Sequence, residues 1–207
     1  MDNDIRMTLD ALDNIIERLS DPLLPSDIRH GWSERSQAAI LKYYQRIRTR
    51  IELGENIPRG EINGLARGLD SWGVDGGMLQ DSTFGVSGIL RRDGFPFVLG
   101  DKVPPSKMIA GTTGRKNLIA VVRILSERLA DSLLPSDLRH GWTEEQKGRV
   151  AEYFSSLGAR LANGENCGES DLALAEAILR ELPGTGQLAS DVAYGVESLR
   201  QAISVSN

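Results

Sequence analysis

The sequence predicts an all-α protein that is a tandem duplication of a four-helix unit of roughly 90 residues. Two observations predict this fold. Twelve of the sixteen residues from Leu19 to Glu34 recur, identical and in order, 110 positions later between Leu129 and Glu144. Around them, apolar residues alternate at spacings of three and four, which is the pattern of amphipathic helices. We therefore expect two helical repeats, residues 1–92 and 115–207, joined by an ordered linker over 93–114.

The first two helices of each repeat have clear boundaries in the sequence. Apolar stripes predict the first helix at about 4–20 and again at about 115–130. Ser33 and Thr143 are good N-caps for the second helix. Its expected buried residues are Ile40, Tyr44, Ile47 and Ile51 in the first copy, and Val150, Phe154, Leu157 and Leu161 in the second.

The last two helices of each repeat are matched at the same offset. The third covers about 60–72 and 169–182, and the fourth contains Phe84-Gly-Val in one copy and Tyr194-Gly-Val in the other. A glycine inside a helix costs about 1 kcal/mol relative to alanine. Because Gly85 and Gly195 are matched, we expect close helix–helix contact at both, in a fold of eight helices and no sheet.

The linker over 93–114 contains three prolines and has no counterpart after the second repeat. It carries Phe95 and Phe97, which are half of the phenylalanines in the chain. An exposed Phe-Pro-Phe-Val-Leu segment would form an apolar patch on the surface. We therefore expect this segment to pack against one or both repeats.

Composition excludes several classes of function. With 40% apolar and 26% charged residues the chain is typical of a globular protein. A net charge of −5 argues against a nucleic-acid or anionic-membrane partner, because such partners require a basic surface. Cys167 is the sole cysteine, so no internal disulfide can form, and the acidic N-terminus is unlike a signal peptide. We expect a cytoplasmic location, and 19 arginines against five lysines suggest a GC-rich bacterial genome.

The repeated decapeptide reads LLPSDIRHGW at 23–32 and LLPSDLRHGW at 133–142, and it contains both histidines of the chain. On one helical turn, a carboxylate and an imidazole three residues apart share a face and form a general base or two metal ligands. An arginine beside them could bind a carboxylate or a phosphate. The residues concerned are Asp27, Arg29 and His30, with their copies Asp137, Arg139 and His140.

The decapeptide also has a structural interpretation, which we favour. Ser26 or Asp27 caps a short turn after Pro25, and Trp32 fills the corner between the first two helices, as Trp142 does in the second copy. Each copy supplies at most two metal ligands, whereas a structural zinc site uses four and a catalytic site three. We therefore predict no tightly bound transition metal and no cofactor.

The strongest charge cluster is the stripe of Lys42, Arg46 and Arg50 on the second helix, whose counterpart is Glu152, Ser156 and Arg160. One interpretation is a solvated face. The other is a docking site for an acidic protein surface, restricted to the first repeat.

These observations predict a non-enzymatic cytoplasmic protein–protein interaction module, which could act as an adaptor, a regulator or an inhibitor. No known catalytic motif is present in the chain. The alternative is a small-molecule or metal-binding protein, or an enzyme, that uses the duplicated decapeptide. A binding role falls on the decapeptide residues Asp27, Arg29, His30, Trp32, Asp137, Arg139, His140 and Trp142 and on the stripe residues Lys42, Arg46 and Arg50.

Overall fold

A computed structural model of the chain describes residues 3–92, 95–99 and 114–206. Within these ranges it has ten helices and one pair of two-residue strands, so the all-α prediction is confirmed. The chain divides into two compact units, Met1–Ser106 and Lys107–Asn207. None of the described helices is both long enough and apolar enough to cross a membrane.

The described residues of the first unit form five helices rather than the expected four. They are α1 (Asn3–Ser20), α2 (Pro25–Arg29), α3 (Glu34–Glu52), α4 (Arg59–Ser71) and α5 (Met78–Leu90). The additional helix α2 is a five-residue turn inside the decapeptide. The expectation of no sheet was wrong in detail, because β1 (Ile57–Pro58) pairs in parallel with β2 (Val98–Leu99).

The second unit also contains five helices among its described residues. They are α6 (Gly114–Ala130), α7 (Pro135–Arg139), α8 (Glu144–Ala162), α9 (Glu169–Arg180) and α10 (Gln187–Ser206). Here too the additional helix, α7, is the short turn of the decapeptide.

The core of each unit lies largely between its first two long helices, α1 and α3 or α6 and α8. In the first unit α3 packs on α1, and in the second α8 packs on α6, which also contacts α10. All eight residues predicted to face inward on α3 and α8 are buried: Ile40, Tyr44, Ile47, Ile51, Val150, Phe154, Leu157 and Leu161. The spacing of apolar residues therefore identified the buried face of α3 and α8 correctly.

Helices α3 and α8 both begin at the predicted caps. The hydroxyl of Ser33 accepts a hydrogen bond from the backbone N–H of Ser36 at 3.3 Å, and that of Thr143 accepts one from Gln146 at 3.2 Å. The side chain of Gln146 accepts in return from the Thr143 N–H at 3.0 Å, which completes the predicted capping box.

The constant offset between the repeats does not extend through the fourth pair of long helices. The starts of α7 and α8 match those of α2 and α3 at the offset of the repeated sequence. At that offset Met78, the first residue of α5, matches Leu188, but α10 already begins at Gln187. Gly77 and Gly186, which directly precede α5 and α10, have similar positive φ angles of 84° and 91°. The turns before the last helices, 72–77 and 181–186, have the same length. The shift arises because α9 has 12 residues where α4 has 13.

This shift overturns the pairing of Gly85 with Gly195. Gly85 is exposed, and a Cβ built on it meets nothing within 4 Å. Gly195 is buried, and a Cβ built there lies 2.7 Å from the Leu125 side chain and 3.0 Å from Phe154. Close packing, which we expected at both glycines, occurs only at Gly195.

The two glycines are expected to respond oppositely to alanine. Gly85→Ala should raise the free energy of unfolding by about 0.5–1 kcal/mol, because it removes a helix-interior glycine without a clash. Gly195→Ala should lower the free energy of unfolding by about 1–3 kcal/mol, because it overpacks the α6–α8–α10 core. Denaturant unfolding of the two variants checks both signs, and equal effects would contradict the one-residue shift.

The structure describes only part of the predicted linker. Phe95 and Phe97 are partly buried against the core of the first unit, with their rings edge to face at 5.9 Å. The backbone N–H of Ile57 donates to the carbonyl of Phe97 at 2.6 Å, beside the strand pair. The expected packing is confirmed for Phe95, Phe97 and Val98. The rest of the expectation falls largely on 93–94 and 100–113, which lie outside the described residues.

Candidate functional site

The decapeptide forms a helical corner whose geometry follows from its sequence. Leu24 is extended and Pro25 occupies the first position of α2, where its missing N–H costs nothing. The carboxylate of Asp27 accepts the Leu24 N–H at 2.8 Å, and Asp137 accepts the Leu134 N–H at the same distance. Asp27 and Asp137 therefore act as caps, as the structural interpretation predicted.

Each capping aspartate also forms a buried ion pair with an arginine of the preceding helix. Arg18 of α1 donates to Asp27, and Arg128 of α6 donates to Asp137. All four residues are at most 3% exposed. A buried carboxylate paired with a buried guanidinium holds two helices together, because neither charged group can reach water unless the corner opens.

Sequence reasoning missed Arg18 and Arg128. The signal was present, because both arginines occur at the same offset of 110, directly before the repeated stretch. Both arginines belong to the predicted first helix of their repeat. The apolar stripe of that helix predicts which apolar residues are buried, but it does not predict which polar residues are.

The two histidines pack against the last helix of their own unit. His30 is 18% exposed, and its Nδ1 lies 3.9 Å from a carboxylate oxygen of Asp75. A Cβ built on Gly77 would lie 2.7 Å from the His30 ring, and the ring of His140 lies equally close to Gly186. Each imidazole therefore fills the space that a glycine leaves at the start of α5 or α10.

The hydroxyl of Thr185 lies 3.1 Å from Nδ1 of His140, which is a second contact from the turn before α10. The described residues contain no group of three or more His, Cys, Asp or Glu side chains that could hold a metal ion. Each decapeptide belongs to its own unit.

The tryptophans of the decapeptide are core residues, and the arginines are surface residues. Trp32 is 3% exposed and Trp142 is 2% exposed, so the predicted burial is confirmed. Arg29 and Arg139 lie on the outer surface beside Ile28 and Leu138. The decapeptide thus brings its aspartate and tryptophan inward and leaves its arginine in solvent.

The predicted basic stripe on α3 is partly neutralised by one carboxylate. Glu61 of α4 forms ion pairs with both Arg46 and Arg50, the latter at 2.9 Å. Lys42 is exposed, and Arg46 retains 53% of its side-chain exposure. Three cations therefore face one carboxylate, which leaves this surface of the first unit basic.

A cleft of about 180 Å³ lies beside the stripe, between α3 and α4, and sequence reasoning missed it. Its walls are the rings of Tyr43 and Trp72, and Arg46 and Glu61 stand with them in the lining. The other lining residues are Ala39, Ile40, Gly64, Leu65 and Gly68. Trp72 is 37% exposed, so its ring is accessible from solvent.

The phenol groups of the two matched tyrosines have different environments. The hydroxyl of Tyr153 donates to the carbonyl of Asp171 at 2.8 Å. The hydroxyl of Tyr43 is buried without a hydrogen-bond partner among the described residues. Burial, together with the charge of Glu61, raises the pKa of Tyr43 to about 12, so the phenol of Tyr43 is neutral.

Cys167 belongs to a separate and much smaller depression of about 20 Å³. Burial raises the pKa of its thiol above the ordinary value, with a further contribution from the nearby Asp171 carboxylate. Since the thiolate is the reactive form, Cys167 is not set up as a nucleophile.

Comparisons of the chain with protein-family models, with curated proteins and with solved structures find no match.

Proposed function

We propose that this protein is a non-enzymatic interaction module of the cytoplasm, an adaptor, regulator or inhibitor, which binds an acidic surface of another protein through its first unit. The observation that carries the proposal is the exposed face formed by Lys42, Arg46 and Trp72 beside the cleft. Tryptophan, tyrosine and arginine are the residues that most often dominate binding energy at protein interfaces.

The second unit supports the proposal by contrast. At the positions matched to Lys42 and Arg46 it has Glu152 and Ser156. Directly after α9 it has Glu181, where the first unit has Trp72 after α4. The buried positions of α3 and α8 are alike in kind, whereas the outer positions differ. Divergence confined to the outer face is expected when one copy acquires a partner that the other lacks.

We also propose that the two units arose by tandem duplication. The repeated sequence, the equal offsets of α2/α7 and α3/α8, and the paired Arg18–Asp27 and Arg128–Asp137 contacts support a common origin. A further matched contact joins α3 to α4 and α8 to α9. Arg50 pairs with Glu61, and Arg160 pairs with Asp171.

The alternative of a small-molecule binding protein has less support from the geometry. Sites for drug-sized ligands enclose roughly 300–1,000 Å³, whereas the cleft encloses about 180 Å³. The decapeptide, on which the alternative depends, has its aspartate in a buried ion pair.

The proposal is tested by charge reversal on the basic face. Proteins retained by the full chain from an extract of its source organism are identified by mass spectrometry, and the affinity of the leading candidate is measured in purified form. In Lys42→Glu/Arg46→Glu the affinity is expected to fall by about tenfold or more, with a weaker dependence on salt. Arg50 is left unchanged because it still balances Glu61.

The control is Lys116→Glu/Arg149→Glu, which makes the same change in net charge on exposed positions of the second unit. Its affinity is expected to stay close to that of the unmodified chain. Equal affinities in both double variants would show that the basic face of the first unit is only a solvated surface.

A further inference from the structure

Two glycines of α4 line the cleft between α3 and α4, and they lower the helix propensity of α4. Gly64 and Gly68 lie in the interior of α4 (Arg59–Ser71), where glycine is less favourable than alanine. A Cβ built on Gly64 meets nothing within 4 Å, and one on Gly68 meets only the Trp72 ring, at an ordinary contact distance of 3.7 Å. Packing within the described part of the first unit therefore does not require either glycine.

The matched positions of the second unit carry large side chains. At the offset of the repeated sequence, Leu174 and Ile178 of α9 match the two glycines. In the same stretch Leu172 and Ala175 are buried, at the positions that match the buried Ile62 and Leu65. The third long helix of a unit can therefore carry either large side chains or glycine at these positions. Only the first unit uses glycine, and it does so next to Tyr43 and Trp72.

We propose that the cleft is an anchor pocket for one aromatic side chain of an acidic segment in the partner protein. This inference rests on the proposed function, since it assumes that the first unit binds an acidic protein surface. A dry cavity of roughly 150 Å³ is enough for a benzene-sized ring. The volume of about 180 Å³ is therefore sufficient for a single aromatic side chain.

The lining of the cleft matches an aromatic occupant. Ile40 and Leu65 are buried beneath it and supply apolar contact. The rings of Tyr43 and Trp72 offer edges and faces, which aromatic groups prefer in offset or edge-to-face arrangements. Without a side chain at Gly64 and Gly68, the backbone of the bound segment can approach α4 closely.

The charges around the cleft define the segment that carries the aromatic residue. Arg46 lines the cleft, and Lys42 and Arg50 lie one helical turn away on either side of it. Glu61 opposes these three cations with a single negative charge. Aspartate or glutamate residues flanking the aromatic side chain would balance the excess, so the expected recognition element is an aromatic residue between acidic ones.

The test uses the full chain and an unbiased library of short random peptides displayed on phage. Selection is expected to enrich peptides with one aromatic residue flanked by Asp or Glu. In a synthetic peptide of the enriched sequence, replacing the aromatic residue by alanine should weaken binding by about tenfold or more. No enrichment, or enrichment without an aromatic residue, would overturn the proposal.

The decisive variant is Gly64→Leu/Gly68→Ile, which introduces the residues found at the matched positions 174 and 178. Its thermal midpoint should not fall, because glycine is replaced by better helix formers. Binding of the enriched peptide should be lost. Should this variant fail to fold, Trp72→Ala, which removes an exposed wall of the cleft, is expected to weaken binding by about tenfold.

Comparison of the charge-reversal variant with the variant that fills the cleft separates this inference from the proposed function. If Lys42→Glu/Arg46→Glu abolishes binding and Gly64→Leu/Gly68→Ile does not, the basic interface stands and the anchor pocket is refuted. If neither variant changes binding, both proposals fail. Self-association of the unmodified chain that disappears in the filled variant would assign the cleft to a second copy of this chain, which also overturns the proposal.

Discussion

Replacing Asp27 by asparagine is expected to lower the free energy of unfolding of the first unit by about 3–5 kcal/mol. The substitution leaves the guanidinium of Arg18 buried without its counter-ion, in a site where Arg18 is 2% exposed. It also weakens the cap on the Leu24 N–H, which the carboxylate accepts at 2.8 Å. Both losses act on the same corner between α1 and α3.

The measurement is hydrogen exchange during urea unfolding, resolved by peptide so that each unit is observed separately. Asp137→Asn provides the matched variant, and it should destabilise the second unit by a similar amount, because Arg128 and Leu134 make the same contacts there. Loss of less than about 1 kcal/mol in both variants would show that the buried pairs do not hold the corners.

A double variant that also replaces the arginine separates the loss of the ion pair from the loss of the cap. Arg18→Met/Asp27→Asn removes the buried cation together with its partner, and apolar replacements of buried ion pairs are often close to neutral. The double variant is therefore expected to be more stable than Asp27→Asn alone, retaining only the loss at Leu24. If it is less stable than the single variant, the cost does not arise from an unpaired arginine.

Truncation of either buried tryptophan to alanine is expected to cost about 3–5 kcal/mol, the range for large aromatic cavities. Trp32 packs among the core residues of the first unit, in the chain turn between α2 and α3. Trp142 is equally buried in the second unit. The thermal midpoint and the denaturant midpoint of each single variant measure the effect.

Phenylalanine at the same positions separates volume from hydrogen bonding. The indole N–H groups of Trp32 and Trp142 are buried and have no acceptor among the described residues. Phenylalanine removes that unpaired donor while keeping much of the apolar contact, so Trp32→Phe should cost clearly less than Trp32→Ala. Equal losses in the two variants would indicate that the indole nitrogen does have a partner in solution.

Local rules were sufficient for the helices and for their buried faces. The caps at Ser33 and Thr143 and the apolar spacing on α3 and α8 depend on residues that are close in sequence. Caps and apolar spacing do not depend on which helix packs against them, so the helix starts and the buried faces were predicted correctly.

The sequence prediction failed where packing partners decide the outcome. Gly85 and Gly195 occupy the same Gly-Val context, but α9 is one residue shorter than α4, which shifts α10 relative to its sequence match, and only Gly195 is buried. A deletion of one residue changes no local propensity, so an ungapped comparison of the two halves could not detect it.

By itself the sequence determined an all-α chain with two copies of a capped helical corner, because helix periodicity and capping depend on residues that are close in sequence. Only the tertiary structure decided what the polar residues of that corner do. Asp27 pairs with Arg18 of the preceding helix, and His30 fills the space beside Gly77 at the start of α5. The cleft likewise exists only where α3 and α4 meet, because a cavity is a property of two surfaces and neither helix encodes it alone.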